Sequence, residues 1–80
     1  MTNTNYSVGS GGMIMRTGAD TGYFVGTGSG IFKSGASTGM SVDNGGKIYK
    51  NGSYTGYVIG SGGTIMKDSD KGYSIDYMFN

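Results

Sequence analysis

The sequence contains no cysteine, proline, histidine, tryptophan or glutamate. Without cysteine it can form no disulfide and no zinc–thiolate site, and without histidine it lacks the usual general base and metal ligand. Charged residues make up only 14% of the chain and the net charge is +1, too little to attract nucleic acid or an anionic membrane strongly. We therefore expect a protein that is not an enzyme and has neither a cofactor nor a metal site.

Long apolar runs are also missing. The longest, as at residues 13–15, has three residues, whereas a helix that spans a bilayer needs about 20. Residues 1–5 are polar and uncharged, unlike the start of a signal peptide. We expect no membrane insertion, and a length of 80 residues fits one small domain.

The most informative feature is an internal repeat of 17 residues with the consensus G-Y-x-V-G-S-G-G-x-I-Φ-K-x-G-x-x-T, where Φ is Met, Phe or Tyr. The repeats occupy residues 5–21, 22–38, 39–55 and 56–71, with a partial repeat at 72–80. Because unrelated residue types recur together, we interpret residues 1–80 as a single repeat domain.

Apolar columns of the repeat predict the core. The first aliphatic column contains Val8, Val25, Val42, Ile59 and Ile75, and the second contains Ile14, Ile31, Ile48 and Ile65. A third column, two residues before the first and so on the same face of a strand, contains Tyr6, Tyr23, Met40, Tyr57 and Tyr73. The same face receives Thr21, Thr38 and Thr55. Glycine-rich turns and β-branched or aromatic residues between them favour strands, so we expect an all-β fold with essentially no helix.

Two topologies fit these columns. The first is a curled or closed antiparallel β-meander, in which the loop Gly9-Ser10-Gly11 places Tyr6 opposite Ile14 and Val8 opposite Gly12. Its second set of turns would be Thr17-Gly18, Ser34-Gly35, Asn51-Gly52 and Asp68-Ser69. The alternative is a short β-solenoid with one repeat per coil.

Two observations divide these topologies. Thr17 favours the solenoid, because a β-branched residue resists the positive φ of a tight hairpin turn. The solenoid, however, would stack like charges at strand spacing, and this favours the meander. The charges concerned are Arg16, Lys33, Lys50 and Lys67.

The C-terminal residues Asp76-Tyr77-Met78-Phe79 depart from the consensus. Repeat folds need caps at their ends, so this segment is predicted either to cap the sheet or to form an exposed apolar end that meets a partner.

A second apolar row faces away from the predicted core, and we call it the outer row. It comprises Met15, Phe32, Tyr49 and Met66, joined on the same face by Phe24, Tyr54 and Val58. Exposed Tyr and Met are typical of interfaces, so our first interpretation is a contact between copies of the chain. A foreign partner and a second core layer are the alternatives.

The four cations named above, Arg16, Lys33, Lys50 and Lys67, form a regular row beside these aromatics. We interpret them first as solvated strand ends that oppose aggregation. A contact with a protein partner or a glycan is the second interpretation. Binding of single-stranded nucleic acid, by phosphate contact and base stacking, ranks last.

In the cycling of V-G-S-G-G-x-I and x-G-x-x-T-G, the chain resembles the glycine-rich β-repeats of phage tail fibres, tail spikes and autotransporter adhesins. This resemblance implies a shaft, a receptor-binding tip or an adhesive surface, often trimeric. It predicts a non-enzymatic structural or interaction protein that binds itself or a receptor, cytoplasmic when made or associated with a virion. The alternative is a small viral inhibitor that occludes a host defence protein.

Overall fold

The computed structural model describes residues 1–79, in which eight antiparallel strands close into one barrel. The strands are β1 (Thr2–Val8), β2 (Met13–Arg16), β3 (Ala19–Val25), β4 (Gly30–Lys33), β5 (Ala36–Val42), β6 (Lys47–Lys50), β7 (Ser53–Ile59) and β8 (Thr64–Lys67). Each strand pairs with the next in sequence, and β8 pairs with β1. The all-β meander is therefore confirmed in its closed form, and the solenoid is wrong because neighbouring strands run antiparallel.

The expectation of essentially no helix holds apart from short turns. The described residues form one four-residue helix, α1 (Ile75–Met78), and two 3₁₀ turns at Ser10–Gly12 and Ser61–Gly63. No helix in this part of the chain has the length and apolar character needed to cross a membrane.

Tight turns join the end of one strand to the next at one end of the barrel. At Thr17, Ser34 and Asn51 the chain adopts φ of 49°, 51° and 51°, and a glycine with positive φ follows each of them. Positive φ at both positions is the mark of the two-residue hairpin turn that matches strand twist. Three of the four predicted tight turns are thus confirmed. Thr17 adopts the positive φ that its β-branched side chain was expected to resist.

The longer loops correct the predicted register. Tyr6 lies opposite Arg16 and Val8 opposite Ile14, two residues away from the prediction. The reason is a longer loop, in which the Gly9 amide donates to the Met13 carbonyl at 2.7 Å and a 3₁₀ turn fills the interval. A shift of two residues preserves the alternation of faces, so the Tyr, Val and Ile columns still share the inner face.

The fourth tight turn, predicted at Asp68-Ser69, is wrong. Because β8 already pairs with β1, no further strand follows it, and the amides of Asp68 and Ser69 instead donate to the carbonyl of Gly56. Because the barrel is closed, the sheet formed by the described residues has no free edge.

The predicted core columns fill the barrel. The fully buried side chains include Ile14, Ile31, Ile48 and Ile65, and the buried aromatic and Met column comprises Tyr6, Tyr23, Met40 and Tyr57. The first aliphatic column packs against them and is partly buried, but its last member Ile75, like Tyr73 of the third column, lies beyond the last strand and packs on the core from the C-terminal segment. This agrees with the width of an eight-stranded barrel, whose interior is just large enough to be filled by side chains.

Four of the eight strand pairs within residues 1–79 have a bulge where the register shifts, and in each of these four a threonine hydroxyl joins the two strands. Donation to an isoleucine carbonyl occurs at 2.6–2.7 Å in the pairs Thr4–Ile65, Thr21–Ile14, Thr38–Ile31 and Thr55–Ile48. The sequence columns omitted Thr4, although it lies 17 residues before Thr21. Its bond to Ile65 shows that β1 and β8 close the barrel by the same contact that joins strands within it.

The C-terminal segment is a cap. Met78 and Phe79 are buried, and the Phe79 ring centroid lies 5.8 Å from that of Tyr6 and 5.3 Å from that of Tyr23. Tyr77 points the other way and is 79% exposed. We call residues 72–79 the lid, and the end of the barrel that they cover, where the tight turns lie, the mouth.

Candidate functional site

The outer row projects from the outside of the barrel, because its members alternate along the strands with the buried isoleucines. All seven residues of the row are half-buried. Its repeat positions Met15, Phe32, Tyr49 and Met66 fall on β2, β4, β6 and β8, the alternate strands of a closed barrel. The row therefore forms a belt around the barrel, and one flat partner surface can contact only part of it.

Three cross-strand pairs bring members of the outer row together. The rings of Phe24 and Phe32 stack at a centroid distance of 5.6 Å with an interplanar angle of 18°. The second pair, Tyr49 and Tyr54, has a centroid distance of 5.7 Å. The third pair places Val58 opposite Met66, whereas Met15 lies opposite the polar Asp20 and Ser7.

Loop glycines account for the partial burial of the outer row. The Phe32 ring lies so close to Gly26 that a Cβ there would collide with it. The contacts of Met15 with Gly9 and of Met66 with Gly60 are looser, since a Cβ there would lie 3.8 and 3.7 Å from the methionine Cγ, at ordinary van der Waals distance. These side chains therefore support their own hairpins as well as presenting an outer surface.

Met13 extends the Phe24–Phe32 pair onto β2. It lies directly opposite Phe24 and is 38% exposed, so Met13, Phe24 and Phe32 form a continuous apolar strip across three strands, which we call the outer patch. The sequence columns missed Met13 because its position is variable in the repeat. The one signal in the sequence was that Met13 is next to the buried Ile14 on the strand and so has to face outward.

The four predicted cations are the last residues of their strands and lie at the mouth. Their side chains fall on the inner face, each opposite a member of the Tyr/Met column: Arg16–Tyr6, Lys33–Tyr23, Lys50–Met40 and Lys67–Tyr57. They lie on alternate strands, as the meander predicted. The cations and the aromatic side chains of the outer row project from opposite faces of the strands. They therefore do not form the surface of adjacent cations and rings that was expected to contact phosphates and bases.

Two of these cations lie over inner aromatic rings. The Arg16 guanidinium is 5.8 Å from the Tyr6 centroid and the Lys33 ammonium is 5.0 Å from the Tyr23 centroid. Cation–π attraction of this kind holds the charged groups over the mouth. A third cation, Lys50, lies 5.8 Å from the ring centroid of the lid residue Tyr77.

An ionic contact joins Asp76 of the lid to Arg16 at the mouth. The Tyr6 hydroxyl donates to Asp76 Oδ1 at 2.7 Å, and Arg16 Nη2 lies 3.7 Å from the same oxygen. Burial, followed by the hydrogen bond and negative charge of Asp76, raises the pKa of Tyr6 to about 12, with partial opposition from Arg16.

Two open pockets flank Tyr77. One of about 670 Å³ is lined by residues that include Arg16, Asp20 and Asp76, and one of about 340 Å³ includes Met40 and Lys50. Both volumes suit small segments or ligands. Within residues 1–79 no cluster of three or more acidic side chains is placed to hold a metal ion.

No protein-family model matches the sequence, and neither a curated protein nor a solved structure matches it closely enough to indicate a relative.

Proposed function

We propose that the protein is a non-enzymatic interaction protein that associates with a second copy of itself through the outer patch. The observation that carries this proposal is the stacked Phe24–Phe32 pair, extended by the exposed Met13, on the outside of a closed barrel. A contiguous apolar strip on a small protein is typical of an interface. The lack of histidine, cysteine and glutamate supports a role without catalysis.

Closure of the barrel decides how two copies would meet. With β1 paired to β8 the sheet offers no unpaired strand edge, so the contact has to be made by side chains. A twofold arrangement would place the outer patch of one copy against that of the other. A stable interface buries roughly 800 Å² per partner. The barrel exposes 4494 Å² in all, so the interface would extend beyond the patch to neighbouring residues of β2–β4.

The solution mass over a concentration series, from size-exclusion chromatography with light scattering, tests this proposal. We expect a dimer that dissociates on dilution. Phe32→Ser and, independently, Met13→Lys should each weaken it by at least about 30-fold, the effect of losing a central anchor worth about 2 kcal/mol. The second substitution lies at an exposed position and leaves the packing on Gly26 intact.

Tyr49→Ser is the matched control, because Tyr49 belongs to a comparable aromatic pair on the separate β6–β7 hairpin. It should leave the dissociation constant unchanged. A monomer at every concentration, or equal weakening by the control, would reject association through the outer patch.

A foreign protein is the second candidate partner, and the shape of the molecule favours it. The principal extents of 28, 27 and 23 Å describe a nearly isotropic molecule, and because the outer row runs around the closed barrel, a concave partner surface would contact more of the row than a second barrel does. In this version the protein is a receptor-binding component or a small inhibitor that occludes its partner, and a phage or viral origin belongs to the same proposal. A photo-crosslinking residue at position 13 should then capture one protein in the native cell, and the same group at position 49 should not.

A further inference from the structure

The barrel is complete before the lid begins. Since β8 pairs with β1, the last barrel strand ends at Lys67, and the described residues after it add no strand. Among residues 1–79, the backbone–backbone hydrogen bonds of the lid are internal, from the Met78 amide to the Ser74 carbonyl and from the Phe79 amide to the Ile75 carbonyl. It is attached to the barrel through side chains, including the Tyr57 hydroxyl, which donates to the carbonyl of Tyr73 at 3.1 Å.

The lid and the mouth are complementary in chemistry. The mouth has an aromatic floor that includes Tyr6 and Tyr23, and a rim that carries four cations. The lid places the ring of Phe79 on that floor and the carboxylate of Asp76 beside Arg16 on the rim. Phe79 buries apolar surface and Asp76 pairs with a cation. The two residues are three positions apart, so one helical turn brings both side chains to the same side of the lid.

The lid has little structure of its own to hold it in place. Its helix spans four residues, Ile75–Met78, and a helix of that length is not stable in isolation. Gly72 precedes it with φ of 86°, a conformation that only glycine adopts without strain. The lid therefore stays closed because the mouth binds it, as a receptor binds a short peptide.

We infer that the mouth is a peptide-binding site and that the lid is its resident ligand. The peptide it takes carries an aromatic residue three positions after an aspartate, as in Asp76-Tyr77-Met78-Phe79, and such a segment from another protein competes with the lid. This surface lies at the end of the barrel and is distinct from the outer patch, so the inference goes beyond the proposed function.

The test uses a fluorescent peptide with the sequence of residues 72–80, added to the full-length protein. In the wild type, the attached lid competes at an effective concentration in the millimolar range, so the peptide should bind weakly. In full-length Phe79→Ala the resident lid has lost its anchor, and fluorescence anisotropy should show binding at least tenfold tighter than to the wild type. Full-length Tyr49→Ala is the matched control, because Tyr49 belongs to the outer row on β6 and is not part of the lid, and it should behave as the wild type does.

A second peptide, in which the residues equivalent to Asp76 and Phe79 are replaced by Asn and Ala, checks specificity. It should bind the Phe79→Ala protein at least tenfold more weakly than the first peptide. Absence of binding to the folded variant, or equal binding of the two peptides, would overturn the inference.

The wild type provides a test that does not depend on the folding of a variant. Unlabelled peptide, titrated into ¹⁵N-labelled wild type up to an excess over the millimolar effective concentration of the lid, should shift the amide resonances of Met78 and Phe79 progressively toward random-coil positions, while strand resonances such as that of Ile59 keep their dispersion. Lid resonances that remain unchanged at excess peptide would reject an exchangeable lid.

Discussion

The hydroxyl of Tyr6 donates a 2.7 Å hydrogen bond to Asp76, which joins the first strand to the lid across 70 positions of sequence. Tyr6 is 2% exposed, whereas the Asp76 side chain is 63% exposed. The bond therefore links the core of the barrel to its surface, and changes at either residue report on closure of the mouth.

The raised pKa of Tyr6 predicts a loss of stability at alkaline pH. The folded protein holds the phenolic proton up to a pKa of about 12, whereas an unfolded tyrosine releases it near 10. The resulting stabilisation is complete below about pH 10 and is lost between about pH 10 and 12, because there the unfolded state binds fewer protons than the folded state. Denaturant unfolding at about pH 9 and 11.5 should show a smaller loss for Tyr6→Phe than for the wild type. Equal losses would assign the alkaline effect to other groups.

The ion pair between Arg16 and Asp76 should contribute less than the tyrosine bond. The two side chains are 60% and 63% exposed and their charged atoms are 3.7 Å apart, so solvent screens the attraction. Arg16→Gln should lower the free energy of unfolding by less than about 1 kcal/mol. Tyr6→Phe at neutral pH should lower it by about 1–2 kcal/mol. Urea titration of both variants compares them, and a larger effect of Arg16→Gln would contradict this ranking.

Recurrence explains what the sequence could predict. Ile14 and its equivalents recur every 17 residues, so their shared burial could be inferred, and so could the outward direction of Phe32 and Tyr49. The contact between Tyr6 and Asp76 could not, because Asp76 belongs to no column and its neighbours Tyr73 and Ile75, assigned to the core columns, lie beyond the last strand. The register between β1 and β2 was predicted wrongly for a different reason, because glycines at both positions 11 and 12 permit loops of more than one length.

Of the four threonines that bond to isoleucine carbonyls, the buried Thr55 should lower the stability most when its hydroxyl is removed. Thr55 is 0% exposed and its hydroxyl donates to the Ile48 carbonyl at 2.7 Å, so Thr55→Val leaves that carbonyl without this donor inside the protein. We expect a loss of about 1–3 kcal/mol in the free energy of unfolding. Thr21→Val is the matched control, because Thr21 makes the same bond from a half-buried position where water can replace it. Thermal and urea unfolding should rank Thr55→Val as the more damaging, and the reverse order would show that burial does not set the cost.

Substitutions at two glycines in equivalent bulge positions distinguish the cost of backbone strain from the cost of displacing the segment that leads to the lid. Gly22 and Gly56 have φ of 85° and 88°, so alanine at either position should cost about 1–2 kcal/mol for the left-handed conformation alone. A Cβ on Gly22 meets no atom within 4 Å, whereas one on Gly56 would collide with the carbonyl oxygen of Ser69. Gly56→Ala must therefore also displace the segment whose amides, at Asp68 and Ser69, bond to the Gly56 carbonyl. Unfolding free energies should fall further for Gly56→Ala than for Gly22→Ala, and hydrogen exchange at Met78 should accelerate only in Gly56→Ala. Equal exchange in the two variants would mean that docking of this segment on β7 does not hold the lid closed.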